Sequence, residues 1–202
     1  MQQDINKHST NTPKKVLLSL HGFHSSPASL KAQQMQEYLA VHHPDILFLC
    51  PQLPVLPKDM WALISDIFKQ YQHSEIAVMG SSLGGFLATK VEETYQVKSL
   101  LINPAVSPSL LFTKYAGEQV HPYLNERYDI NNDYMQQLIE LNVESFKSPE
   151  NIWVLLQEED EVLDYREALN KYQSCKITCE KGGNHSFLGF ERYLTEIIGF
   201  LY

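Results

Sequence analysis

The feature that most constrains this sequence is a rhythm. Short apolar runs alternate with longer amphipathic runs along nearly the whole chain, the pattern of strands and helices wound around a parallel sheet. Lys15 to Leu20, Ile46 to Cys50, Ile76 to Met79, Val97 to Ile102, Ile152 to Leu156 and Cys175 to Cys179 read as strands. A first helix is predicted from Ser26-Pro27, a hydroxyl cap followed by a residue with preset φ, to about His42. A second spans Pro57 to Tyr71, where Met60, Ile64, Ile67, Phe68 and Tyr71 recur at helical spacing. Leu83 to Tyr95, Tyr165 to Tyr172 and Phe187 to Leu201 complete the helices. At 202 residues, 44% of them hydrophobic, the chain suffices for one domain with a full core.

The rhythm breaks between Ser107 and Pro149. This stretch carries Phe112, Tyr115, Tyr123, Tyr128, Tyr134 and Phe146, and one clear helical segment, Tyr134 to Leu141. It reads as a small cap-like insertion (107–149) over one end of the sheet. Its rings suit either an apolar pocket or lid, or additional core.

Charge bounds the partners. The net charge is −8, from 24 acidic against 16 basic residues, which disfavours nucleic acid because phosphate binding needs clustered Lys and Arg. A small anionic substrate stays compatible, since one local basic spot suffices. Met1 to Lys15 is polar and lacks an apolar signal core, and no stretch approaches the ~20 apolar residues of a membrane span. Cys50, Cys175 and Cys179 are an odd number. Cys175 and Cys179 on one strand would stand ~13 Å apart at ~3.3 Å per residue, too far for a disulfide. A reduced, cytoplasmic protein is the expectation.

The sharpest motif is Gly80-Ser81-Ser82-Leu83-Gly84, followed by Gly85. This G-x-S-x-G falls where a strand ends and a helix begins, the context in which a serine sits on a strained turn with its hydroxyl exposed. Ser81 is a poor alternative, because centring the motif there puts Met79 and Leu83 at the glycine positions. The competing reading is a plain strand-to-helix turn with serine as helix cap. In a fold of this kind, the loop after the first strand and the residue after the nucleophile supply backbone donors to an oxyanion hole. Those donors are the N–H groups of Phe23, in His21-Gly22-Phe23, and of Leu83. His21 and His24 are expected to brace that loop rather than act as bases.

Serine needs a base, usually histidine oriented by a carboxylate, and the chain order in this fold is Ser, acid, His. After the strand ending near Leu156 comes Gln157-Glu158-Glu159-Asp160-Glu161-Val162-Leu163-Asp164. Asp164-x-x-Glu167 resembles a capping box for the next helix. Asp160 has no such explanation and sits where the acid belongs. Glu158, Glu159 and Glu161 read as a solvated face. The base is His185, in the loop Gly182-Gly183-Asn184-His185-Ser186. His8, His42, His43, His73 and His121 have no metal-like spacing with cysteines or acids, so no metal site is expected.

At this point the chain resembles the YqiA-like esterases, a group of small bacterial α/β-hydrolases. The likeness rests on HGF and SSP at 21–27, PQLP at 51–54, GSSLGG at 80–85, NPAV at 103–106, DEVLDY at 160–165 and GGNHSF at 182–187. It implies the α/β-hydrolase fold and hydrolysis of carboxylic esters, with acyl-CoA thioester cleavage also suggested. It carries the nucleophile onto Ser82, the acid onto Asp160 and the base onto His185. One departure is Glu159, where family members often have glycine. The reaction so implied is two-step acyl transfer on a small-molecule ester or thioester, without a cofactor. A peptidase, an acyltransferase and a non-catalytic ligand-binding module are the alternatives that fold alone leaves open.

Overall fold

The computed structural model describes residues 13–202. Most of the polar N-terminal stretch, His8 included, lies outside the described residues. The strands are β1 (Lys15–Leu20), β2 (Ile46–Leu49), β3 (Glu75–Ser81), β4 (Ser99–Ile102), β5 (Gly117–Val120), β6 (Arg127–Ile130), β7 (Ile152–Gln157) and β8 (Lys176–Glu180). The helices are α1 (Leu30–His42), α2 (Pro57–Gln70), α3 (Leu83–Tyr95), α4 (Pro108–Leu111), α5 (Asn132–Glu140), α6 (Tyr165–Lys171) and α7 (Leu194–Leu201).

Six strands form one all-parallel sheet in the order β2-β1-β3-β4-β7-β8. Its central strands are covered on both sides, which is why they read as unbroken apolar runs. The strand period of two divides each run between the faces. Val16, Leu18 and Leu20 of β1 pack with Met60, Ile64 and Phe68 of α2 and Phe86, Leu87 and Val91 of α3. Leu17 points the other way, into the layer of Met35 and Leu39 from α1 and Ile197, Ile198 and Leu201 from α7. The chain steps from β1 out to β2, crosses back over β1 to β3 and then runs outward to β8, with all six strands pointing the same way. The loops that leave the carboxyl ends of β1, β3, β7 and β8 are therefore gathered at one edge, where open α/β sheets bind their ligands.

Three local expectations are corrected. α1 begins at Leu30, not at Ser26-Pro27. Those two residues instead form a turn in which Ser29 N–H donates to the Ser26 carbonyl (3.1 Å) and Ala28 N–H to Ser26 Oγ (3.3 Å), an alternative that serine and proline support equally well. The last helix starts at Leu194 rather than Phe187, because Phe187 (φ 60°) and Gly189 (φ 73°) occupy the left-handed region and break the helix. The insertion contains an unforeseen antiparallel hairpin, β5 with β6, whose residues Gly-Glu-Gln-Val and Arg-Tyr-Asp-Ile give little apolar signal.

Several aromatic residues of the insertion add to the core, and Phe112 and Tyr115 also line a cavity. Phe112, Tyr128 and Tyr134 are buried in the core, whereas Tyr123 is 60% exposed. Asn131 caps α5 through its side-chain oxygen, which accepts the Tyr134 N–H at 3.0 Å.

Candidate active site

The turn from β3 to α3 puts Ser82 at φ 56° and ψ −119°, a strained conformation for a residue with a side chain. The glycines flanking it permit this. A Cβ on Gly80 would overlap the Gly84 carbonyl, and one on Gly84 would overlap the Leu20 carbonyl of β1. Ser82 N–H donates to the Ile102 carbonyl (3.1 Å), and the Ser82 carbonyl accepts from Gly85, Phe86 and Ala105. Although Ser82 stands at the N-cap of α3, its side chain makes no capping hydrogen bond. Serine as a mere helix cap is thereby disfavoured.

The candidate oxyanion donors meet beside this serine. A Cβ on Gly22 would stand only 3.3 Å from Ser82 Cβ and 3.8 Å from Ser82 Oγ, so glycine here lets the β1 loop approach the hydroxyl. Among the described residues, neither Phe23 N–H nor Leu83 N–H finds a protein acceptor. His21 braces the loop as expected. Its Nε2 accepts the Leu53 N–H at 3.0 Å and its Nδ1 donates to the Gly22 carbonyl at 3.0 Å. Burial holds this ring below the usual histidine pKa, favouring the neutral form that both bonds require. His24 meets the Tyr128 hydroxyl at 2.8 Å, tying the same loop to β6.

The Asp160 carboxylate is 2% exposed and receives His185 Nδ1 at 2.9 and 2.8 Å. It also accepts the N–H groups of Val162 and Leu163, both at 2.9 Å. Asp160 thus has a structural task that its sequence context did not reveal. Glu159 is exposed and its φ is not positive, so glycine is not required there. Asp164 caps α6, but its side chain takes the Arg166 N–H (3.0 Å) while the Glu167 N–H goes to the Asp164 carbonyl, so the side-chain bond of a capping box is not formed.

Ser82 and His185 line the same two cavities, though Ser82 Oγ has no hydrogen-bond partner among the described residues. Such contacts often tighten only when substrate is bound. One cavity, of about 290 Å³, is walled by Phe23, Leu111, Phe112, Tyr115 and Val162. The other, of about 260 Å³, lies toward the start of α1. A larger cavity of about 570 Å³, lined by Ala105, Leu111, Val162 and Lys171 among others, touches neither Ser82 nor His185. Among the described residues, no group of three or more His, Cys, Asp or Glu is placed to hold a metal ion.

Three supporting residues escaped sequence reasoning. Asn103 Nδ2 donates to the carbonyls of Asn184 (3.0 Å) and His185 (3.2 Å), while its Oδ1 accepts the Gln157 N–H at 3.1 Å. Gln157 Oε1 accepts from Asn184 N–H (3.1 Å) and Leu188 N–H (2.9 Å). Glu161, expected on a solvated face, accepts the His185 N–H at 2.9 Å, which holds its carboxyl below the usual range. The one available signal was a polar residue closing each of two largely apolar strands: Asn103 follows β4 and Gln157 ends β7.

A six-stranded parallel sheet with helices on both faces, a serine at the β3–α3 elbow and an Asp–His pair on the loops after β7 and β8 define the α/β-hydrolase fold. Solved structures share it. A protein from Agrobacterium vitis S4 superposes with a TM-score of 0.71 at 15% identity, covering 94% of this chain and 88% of its own. Est1E from Butyrivibrio proteoclasticus, in a structure with ferulic acid bound, gives 0.67 at 17% identity, covering 95% and 90%. Mouse alpha/beta hydrolase domain-containing protein 10 gives 0.67 at 14% identity, covering 91% and 88%. The chain belongs to the uncharacterised protein family UPF0227, whose model matches residues 16–202. Among the described residues, no helix is long and apolar enough to cross a membrane.

Proposed function

We propose that this chain is a serine hydrolase that cleaves carboxylic esters of short to medium acyl chains through an acyl-enzyme intermediate. Thioesters are open to the same chemistry. The observation that carries the reading is the Ser82 hydroxyl. It sits on strained backbone, is not used as a helix cap, and opens onto cavities shared with a histidine whose other nitrogen is bound to a buried carboxylate. The esterases among the structural relatives add support from fold analogy.

The carboxylate of Asp160 holds the proton on His185 Nδ1, leaving the Nε2 lone pair to act as base. Nε2 takes the Ser82 proton as Oγ adds to the ester carbonyl. The resulting oxyanion is received by the Phe23 and Leu83 N–H groups; each such donor contributes ~3 kcal/mol to the transition state. As the tetrahedral adduct collapses, the imidazolium returns the proton to the departing alcohol or thiol. Water then repeats the addition on the acyl-enzyme, with His185 again as base, and frees Ser82.

A series of 4-nitrophenyl esters from acetate to octanoate, run with wild type and Ser82→Ala, tests the reading. The expected result is turnover of the shorter members and a loss of about 10⁴-fold or more in the variant. Undiminished turnover by a folded Ser82→Ala protein would overturn it.

A further inference from the structure

The cavity toward α1 holds a feature that ester hydrolysis alone does not use. Its walls include Ser82, His185, Ser186, Ser25, Ser29 and Lys31. No Asp or Glu lines it, in a chain of net charge −8. Lys31 Nζ makes one hydrogen bond, to the Ser186 carbonyl at 2.8 Å, and an ammonium has three donors. Among the described residues, Lys31 has no carboxylate within ion-pair distance. Asp160, whose charge reaches it, is already engaged by His185, Val162 and Leu163. Partial burial pushes the Lys31 pKa down to about 8, so the group is still charged at neutral pH, on a residue that is half-buried. A half-buried cation with free donors, lining the same cavity as Ser82, is complementary to an anion. The second cavity that Ser82 lines is walled by Phe23, Leu111, Phe112, Tyr115 and Val162, largely apolar and aromatic.

We infer that Lys31 is a specificity residue: it receives a carboxylate carried by the substrate within a few bonds of the scissile carbonyl, while an apolar part of the substrate fills the aromatic cavity. This rests on the hydrolase reading above. A lysine suits this task as a compact point charge, without the two-pronged geometry an arginine would impose. The competing role for Lys31 is purely structural, bracing the loop that carries His185 through the Ser186 carbonyl. That role predicts an equal loss for every substrate, whereas the inferred one predicts a loss confined to anionic substrates.

The test compares isosteric pairs. Mono-4-nitrophenyl adipate against 4-nitrophenyl hexanoate places the carboxylate on the acyl side. The hexanoate ester of 3-hydroxybenzoate against that of 3-methylphenol places it on the alcohol side. In wild type, kcat/KM is expected to favour the anionic member of one pair by about ten- to a hundredfold, the effect of a hydrogen bond between charged groups. In Lys31→Met the ratio is expected to fall to about one with neutral-ester turnover retained, and Lys31→Arg to recover part of the preference. Melting curves show whether each variant is folded. No preference in either pair, a preference unchanged in Lys31→Met, or equal losses on both members overturns the inference while neutral-ester hydrolysis leaves the hydrolase reading standing. Absence of hydrolysis of all four esters by folded wild type overturns the hydrolase reading and this inference with it.

Discussion

Replacing Asp160 by Asn separates the candidate acid from the crowd of carboxylates around it. The Asp160 side chain is 2% exposed and accepts from three N–H groups: His185 Nδ1, Val162 and Leu163. In the variant, the amide oxygen can keep the Val162 and Leu163 bonds, which leaves the amide NH₂ toward His185. Two donors cannot face each other, so the ring must take the tautomer with its proton on Nε2, the form unable to accept the Ser82 proton. A wrong tautomer in such a triad lowers kcat by ~10⁴, which corresponds to ~5.5 kcal/mol of barrier. The stability cost is smaller, since one charge-assisted bond is lost and two are weakened, about 1–3 kcal/mol in all. Asp164→Ala is the control. It removes the cap bond to Arg166 N–H, costing ~1 kcal/mol and roughly 2–4 °C of Tm in a domain of this size, with turnover unchanged. Steady-state hydrolysis of a 4-nitrophenyl ester and thermal melts of both variants decide the matter. Asp160→Asn retaining more than a tenth of wild-type kcat, or Asp164→Ala losing its activity, would refute the assignment.

Other consequences follow from the same geometry. Gly84→Ala drives a Cβ into the Leu20 carbonyl and is expected to cost about 3 kcal/mol or more, read as a steep fall in Tm. Gly22→Ala places a Cβ 3.3 Å from Ser82 Cβ; it should leave Tm within a few degrees but lower kcat/KM about tenfold, and the opposite pattern would remove Gly22 from the site. Asn103→Ala leaves the buried Gln157 N–H without its acceptor and frees the 184–185 backbone, so a destabilisation of about 1–3 kcal/mol with reduced kcat is expected. Arg192, Gln157 and Tyr193 hold the Glu180 carboxyl at about 2, well below its usual value. A depressed carboxylate contributes stability above its unfolded pKa and loses it as pH falls toward 2. Tm of wild type should therefore drop between about pH 4.5 and 2, and the drop should be shallower in Glu180→Gln.

The parts of this protein that are legible in sequence are those with a strong local period. β1, β3, β4 and β7 are continuous apolar runs because the sheet is covered on both faces, and α2 and α3 show their faces directly. The elbow is legible because glycines at 80 and 84 answer a local steric demand. The hairpin of β5 and β6 was hidden because its strands are short, polar and mostly exposed. The start of α7 was hidden because Phe187 keeps a buried, helix-compatible position in the pattern while its backbone is left-handed. The braces Asn103, Gln157 and Glu161 were hidden for a different reason. Their partners lie across the sheet edge, tens of residues away in sequence, so nothing in their neighbourhood marks them.

Hydrolysis as proposed requires Ser82 to be the reactive group. A fluorophosphonate forms a covalent bond only with an activated serine, and mass spectrometry of the digested adduct locates it. One equivalent of label is expected on the peptide bearing Ser82, lost in Ser82→Ala and much slower to form in His185→Ala. Label on Ser81 or on any other residue, or no label on folded protein, would contradict it.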